Sequence, residues 1–257
     1  MRARATLALV VLLACGAGAA KAERLVVSLS NHRVQITSSF AGENLVLFGA
    51  IEPDAGKTTR KAYDLVVTIT GPRTNLLTRR KERVAGIWVN ADSREFVRVP
   101  SYLAVLSNRP LRDIAAAATL RRMQLGLDNY LLTQRIGPDI GDTVPDDPFR
   151  LAFVRLQSEH GLYREQTNAL TFLTPEVFRA SLTLPSDVPT GTYAIDVKLF
   201  AGGDPIAQTT SALEVIKAGL EQYVAEAAVS NGLLYGIATA LMALITGWVG
   251  SAIFRRD

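Results

Sequence analysis

Pro189-Thr190-Gly191-Thr192-Tyr193-Ala194-Ile195, running on through Asp196-Val197-Lys198-Leu199-Phe200, is the stretch on which the fold turns. Pro189 and Gly191 punctuate a turn, and a β-rich run follows it. Tyr193 stands two residues before Ile195, the slot that a cysteine fills in antibody domains. The piece therefore reads as a tyrosine corner, in which a hydroxyl at the start of a strand bonds back to the backbone just upstream.

Outward from that corner the chain is β-rich on both sides. Ala169–Leu173, Phe178–Leu184, Thr192–Phe200 and Ile206–Ile216 form one block. Leu25–Leu29, Val34–Thr37, Asn44–Ile51, Tyr63–Thr70, Gly86–Asn90, Glu95–Val99 and Tyr102–Leu106 form another. Asn31, Gly42, Pro53-Asp54, Gly56 and Gly71-Pro72 bound these runs. Short strands separated by turn signals point to a sandwich. Between the blocks, Pro110–Leu125 and Pro148–His160 read as helices. Asp147 can cap the second and Pro148 suits its first turn. Phe149, Ala152, Phe153 and Leu156 then share one face, and Gly161 ends the helix. The expected class is mainly β with a helical insertion: an immunoglobulin-like β-sandwich outside the cytoplasm plus one C-terminal transmembrane helix. Two separate small β domains are the alternative arrangement.

The ends read as targeting and anchoring. Arg2 and Arg4 precede an apolar Ala5–Ala14, and Ala20-Lys21-Ala22 is an A-x-A site, so residues 1–22 read as a signal peptide. The predicted mature start is Glu23. Cys15 is the single cysteine; Leu12-Leu13-Ala14 before it fits a lipobox poorly. Without it the mature chain has no thiol for disulfides or metal. Leu233–Phe254 is uncharged and long enough to cross a bilayer, with Tyr235 and Trp248 toward opposite ends. Arg255 and Arg256 follow, which places that end in the cytoplasm by the positive-inside rule. The expected division is 1–22 signal, 23–109 first part of the sandwich, 110–165 helical insertion and 166–217 second part. Residues 218–231 follow as a juxtamembrane helix, 232–254 as the span and 255–257 as a cytoplasmic tail. The expected location is the inner membrane, single-pass, with the body in the periplasm.

The chain has 257 residues, a net charge of +4 and a mean hydropathy of +0.17. The charge excess resides in the ends, and residues 23–232 carry 23 bases and 23 acids. Nucleic-acid binding is therefore not expected. Within that body, residues 23–135 are net +7 and residues 136–232 net −7. The halves either neutralise each other or present two faces of opposite charge.

Chemistry-bearing patterns are few. His32 and His160 are the two histidines, and neither belongs to a zinc-binding pair. Gly56-Lys57-Thr58 lies too far from Gly49 for a phosphate loop, and a strand follows it. It reads as a polar hairpin turn. Asp139, Asp142, Asp146 and Asp147 share a Gly/Pro-rich loop whose spacing fits no EF-hand. No cofactor and no metal is expected, and no catalytic constellation is found. Arg79, Arg80, Lys81 and Arg83 form the densest basic run and are the candidate anion-binding residues, for lipid headgroups or a small oxyanion. In the span, Gly232, Gly236 and Ala240 recur every four residues, and Ala243, Gly247 and Ser251 repeat the spacing one stripe over. Small residues at this spacing let helices approach closely in lipid.

The runs Leu29-Ser30-Asn31 with Val34-Gln35-Ile36, Gly42–Gly49 (GENLVLFG), Asp64–Pro72 (DLVVTITGP), Gly86–Asn90 (GIWVN), Val99–Leu111 (VPSYLAVLSNRPL) and the Leu234-Tyr235-Gly236 span resemble an alphaproteobacterial family of transmembrane proteins of unassigned function. The similarity covers nearly the whole mature chain. It implies an exported single-span protein, often encoded near a sulfite-exporter-type permease, and it carries no catalytic residues. The expected function is a membrane-anchored periplasmic accessory or binding module. Its expected partner is an integral-membrane permease or a second copy, met through the helix. A tethered enzyme or anion sensor is the alternative.

Overall fold

The computed structural model describes residues 23–52, 62–219 and 228–253. In chain order the strands are β1 (Arg24–Leu29), β2 (Arg33–Ile36), β3 (Glu43–Glu52), β4 (Asp64–Thr70), β5 (Arg73–Val84), β6 (Ile87–Pro100) and β7 (Leu103–Ser107). After them come β8 (Thr133–Ile136), β9 (Asp139–Asp142), β10 (Tyr163–Thr167), β11 (Leu170–Phe172), β12 (Val177–Leu184), β13 (Gly191–Ala201) and β14 (Asp204–Lys217). The helices are α1 (Leu111–Ile114), α2 (Ala117–Arg122), α3 (Pro148–Glu159) and α4 (Gly232–Ile253).

Three sheets result. One has the order β1-β3-β12-β11 and faces a second with the order β10-β7-β4-β13-β14-β2. The chain order of β1, β3, β4, β11, β12, β13 and β14 is that of strands A to G in an immunoglobulin-type sandwich, with A-B-E-D opposite C-F-G. Both β blocks of the sequence supply strands to both sheets. β3 pairs with β12 along its length, and β4 pairs with β13.

Side-chain alternation builds this core. In β12 Phe178, Ala180, Leu182 and Leu184 are buried, and the residues between them are exposed. β4 breaks the rule: it is buried almost throughout. Its inner face joins the sandwich core, whereas Val66 packs outward with Val105, Phe200, Leu111, Ile114 and Leu120. α1 and α2 thus cover the outer face, and a strand covered on both faces reads as a continuous apolar run. At its start the buried Asp64 accepts from Arg109 Nε at 2.6 Å and Nη2 at 2.5 Å. The hydrogen bond to Asp64 raises the pKa of the Arg109 guanidinium.

The Tyr193 hydroxyl donates to the Pro189 carbonyl at 2.5 Å, closing the expected corner. Gly191 has φ +141°, and a Cβ there would come within 2.9 Å of Pro72 Cγ. The corner is thereby pressed against the end of β4.

The middle of the chain differs from its sequence reading. Pro110–Leu125 is two short helices, broken at Ala115 with φ −148° and ψ 158°. The break lets Ile114 and Leu120 both reach the sheet, and packing outweighs the helix propensity of four consecutive alanines. Residues 73–100 form a long hairpin outside the sandwich, in a third sheet of order β5-β6-β8-β9. Asp139 and Asp142 lie on β9, not in a loop. β10 joins β7 in parallel, so the insertion also extends the sandwich sheet. β14 runs on to Lys217, one residue past the expected strand. The expected juxtamembrane segment falls partly outside the described residues, as do the signal, Cys15, Gly56-Lys57-Thr58 and the tail from Phe254 on.

Candidate functional site

α3 organises the insertion. The Asp147 carboxylate caps it, accepting from Phe149 N at 2.8 Å and Arg150 N at 3.1 Å. Phe149 and Phe153 turn inward onto Phe96, Val99 and Tyr163. Between them Arg150 is buried. Its Nη2 donates to the carbonyls of Leu127 at 3.1 Å, Asp128 at 2.8 Å and Tyr130 at 3.2 Å.

Three of the four predicted anion-binding residues gather against this helix. Arg79, Arg80 and Lys81, with Arg155, line a cavity of about 260 Å³ floored by Phe149, Ala152 and Leu156. The guanidiniums of Arg80 and Arg94 stand 5.9 Å and 4.9 Å from the centre of the Phe149 ring. Such contacts fix the cations over an apolar surface. Arg155 faces Glu159 at 3.9 Å, and Arg80 faces Glu82 at 3.9 Å. Both pairs are exposed and weak. Arg83 lies beyond the cavity, its Nε donating to the Gly86 carbonyl at 3.3 Å. Arg155 was not singled out in the sequence. Its one signal was position, one turn past Leu151 on the polar side of an amphipathic helix.

The six predicted helix-packing residues all lie on α4. At 3.6 residues per turn, Gly232, Gly236, Ala240, Ala243, Gly247 and Ser251 occupy one arc of about 100°. The two rows are therefore one face, not neighbouring stripes. Leu241 and Trp248 lie off this arc, on a different face. Nothing lies within 4 Å of where a Cβ would stand at Gly232, Gly236 or Gly247. The helix is apolar over Gly232–Ser251, and its apolar stretch is not buried.

The remaining candidates stay apart. His32 is exposed in a turn, and His160 caps the end of α3. No group of three or more His, Cys, Asp or Glu able to hold a metal occurs among the described residues. Burial pushes the Tyr102 hydroxyl up to about 12. Desolvation raises Tyr163 and Tyr193 as well. Tyr163 donates to the Pro100 carbonyl at 2.7 Å. These hydroxyls hold their protons at neutral pH and serve packing.

A family model described as "Putative transmembrane protein (Alph_Pro_TM)" matches residues 24–256. The chain belongs to this family. Its members are classed as transmembrane proteins, and among the described residues α4 is the one helix long and apolar enough to span a membrane. No curated protein matches the chain in sequence. Among solved structures, the N-terminal domain of the Streptococcus gordonii adhesin Sgo0707 is similar at 9% identity and TM-score 0.26, over 74% of this chain and 32% of that one. This chain thus spans about a third of that adhesin structure. The bacterial hydrophobin BslA is similar at 12% identity and TM-score 0.23, over 78% of this chain and 98% of that one.

Proposed function

We propose that this protein is an accessory or binding module of the inner membrane. Its sandwich stands in the periplasm, and α4 joins a permease or a second copy. The observation that carries the reading is the small-residue face of α4. An inert anchor needs only hydrophobic length, whereas helix association in lipid depends on close packing. Gly236→Ile keeps the hydrophobic length but holds the backbones apart. It is expected to leave insertion unchanged and to weaken association in a membrane two-hybrid assay. Leu241→Ile, on a different face, is expected to be silent. Equal signals for both variants and the wild type would reduce α4 to an anchor.

The cavity beside α3 supports a second reading, an anion sensor. Arg79, Lys81 and Arg155 surround a space that fits a small oxyanion, with Phe149 fixing Arg80 beside it. Charge reversal of Arg79 and Lys81 is expected to abolish binding of sulfite to the full chain in detergent, measured by calorimetry. Folding is expected to survive, because exposed charges contribute little to stability. Absence of heat with sulfite, sulfate and thiosulfate in the unaltered protein would end this reading.

A further inference from the structure

We propose that the tip of the β5–β6 hairpin docks on the anionic headgroup layer of the same membrane that holds α4. The proposal uses membrane anchorage alone and stands whether or not α4 has a partner.

Beyond the cavity beside α3 the end of this hairpin is unsupported. β6 meets β8 only at Glu95 and Phe96, so residues beyond that point form a two-stranded ribbon with both edges open. Every residue from Arg79 to Ala91 is exposed. A two-stranded ribbon is marginal in water without something against it. The tip is nevertheless well specified. Val84 pairs with Ile87 across Ala85 and Gly86, whose φ values of 50° and 87° make a tight two-residue turn.

The tip's composition is that of an interface anchor. Val84, Ile87 and Trp88 are 55%, 68% and 66% exposed, far from the apolar core. Arg83 stands directly across from Trp88, and Lys81 across from Asn90. Strand alternation puts Arg79, Lys81 and Arg83 on one face. Residues 79–91 carry four cations and one carboxylate, Glu82, for a net +3. Glu82 lies on the other face beside Arg80. Tryptophan settles at the water–lipid boundary, and cations just behind it meet anionic headgroups.

Topology places this tip where it can reach the bilayer. Thr70, at the end of β4, pairs with Ala194, and Gly191 pairs with Val215 near the end of β14. The hairpin therefore hangs from the end of the sandwich at which the chain leaves for α4. A cleft of about 660 Å³ at that end is lined jointly by Pro72, Thr74 and Ser101 at the hairpin's base and by Lys217. Twelve residues of β5 reach at most about 40 Å.

The chain's two tryptophans give the test, because Trp248 sits in α4. The full chain carrying Trp248→Phe leaves Trp88 as the sole reporter. It is placed in nanodiscs of phosphatidylethanolamine and phosphatidylglycerol, with or without lipids brominated near the headgroup. Expected are a blue-shifted Trp88 emission, strong quenching by the brominated lipid, and weaker quenching in phosphatidylcholine discs. Adding Arg79→Glu, Lys81→Glu and Arg83→Glu is expected to remove the quenching, and Ile87→Asp to do so without touching a cation. Water-like emission with no quenching would overturn the proposal. So would a blue shift that brominated lipid leaves intact, which would assign the tip to a protein partner. Equal quenching in phosphatidylcholine would overturn the choice of anionic headgroups.

Discussion

Gly49→Val will prevent the sandwich from closing, and Gly49→Ala will weaken it by about 1–3 kcal/mol. Gly49 lies in β3, directly across from Phe178 of β12. The Phe178 ring lies over the glycine: a Cβ there would fall 2.2 Å from Cζ and 2.6 Å from Cε1. Phe178 is fully buried and stands 6.2 Å from the ring of Phe172, so it cannot simply swing aside. Relief must come from spreading the two central strands of one sheet, which disturbs every pair from Leu184 to Val177. The interaction is specific enough for a double-mutant cycle. Phe178→Leu removes the ring atoms that a Cβ would strike, so Gly49→Ala should cost much less in that background. A coupling of about 1 kcal/mol or more is expected from chemical denaturation. Additive costs would show that Gly49 is required for another reason.

What the sequence disclosed and what it hid divide along a physical line. The Tyr193 corner was legible because both partners, its hydroxyl and the Pro189 carbonyl, lie within one turn of chain. The Asp147 cap is likewise local. β12 was legible because one face is core and the other is water. β5 was not: its outer half is exposed on both faces, so no alternation is written into residues 79–84, and four cations read as a solvated turn. Gly49 carried no signal of its own, because its constraint comes from a ring 129 positions along the chain. The candidate sites divide the same way. The small-residue face of α4 is a matter of helical spacing alone. The cavity beside α3 needed Arg155 to be brought to Arg79 and Lys81 by packing that no local pattern encodes. Arg150 is the extreme case. Its neighbours Phe149 and Phe153 marked the inward face, yet nothing nearby predicts that a guanidinium belongs between them.

Arg150→Met will loosen the insertion while leaving the sandwich folded. The guanidinium reaches three carbonyls of one turn, those of Leu127, Asp128 and Tyr130, and also lies 3.5 Å from the Pro145 carbonyl. Methionine fills similar volume but donates nothing. Buried carbonyls left without a donor cost about 1–3 kcal/mol each, so a loss of roughly 3 kcal/mol or more is expected. Lysine should recover only part of it, because one ammonium cannot fork across this set as a planar guanidinium does. The damage should stay local, for Arg150 belongs to α3 and its acceptors to the segment before β8, whereas the sandwich has its own core. Hydrogen exchange should therefore rise in residues 127–160 and remain slow in β3, β4, β12 and β13. A uniform rise through those strands would mean that insertion and sandwich unfold as one unit. If the expected pattern holds, the consequence reaches outward. Phe149 is the ring beneath Arg80 and Arg94, and Phe153 stacks on Phe96 of β6 with ring centres 4.4 Å apart. Loosening α3 would thus release both the basic cavity and the base of the exposed hairpin, making Arg150 the residue through which the core of the insertion holds its working surface in place.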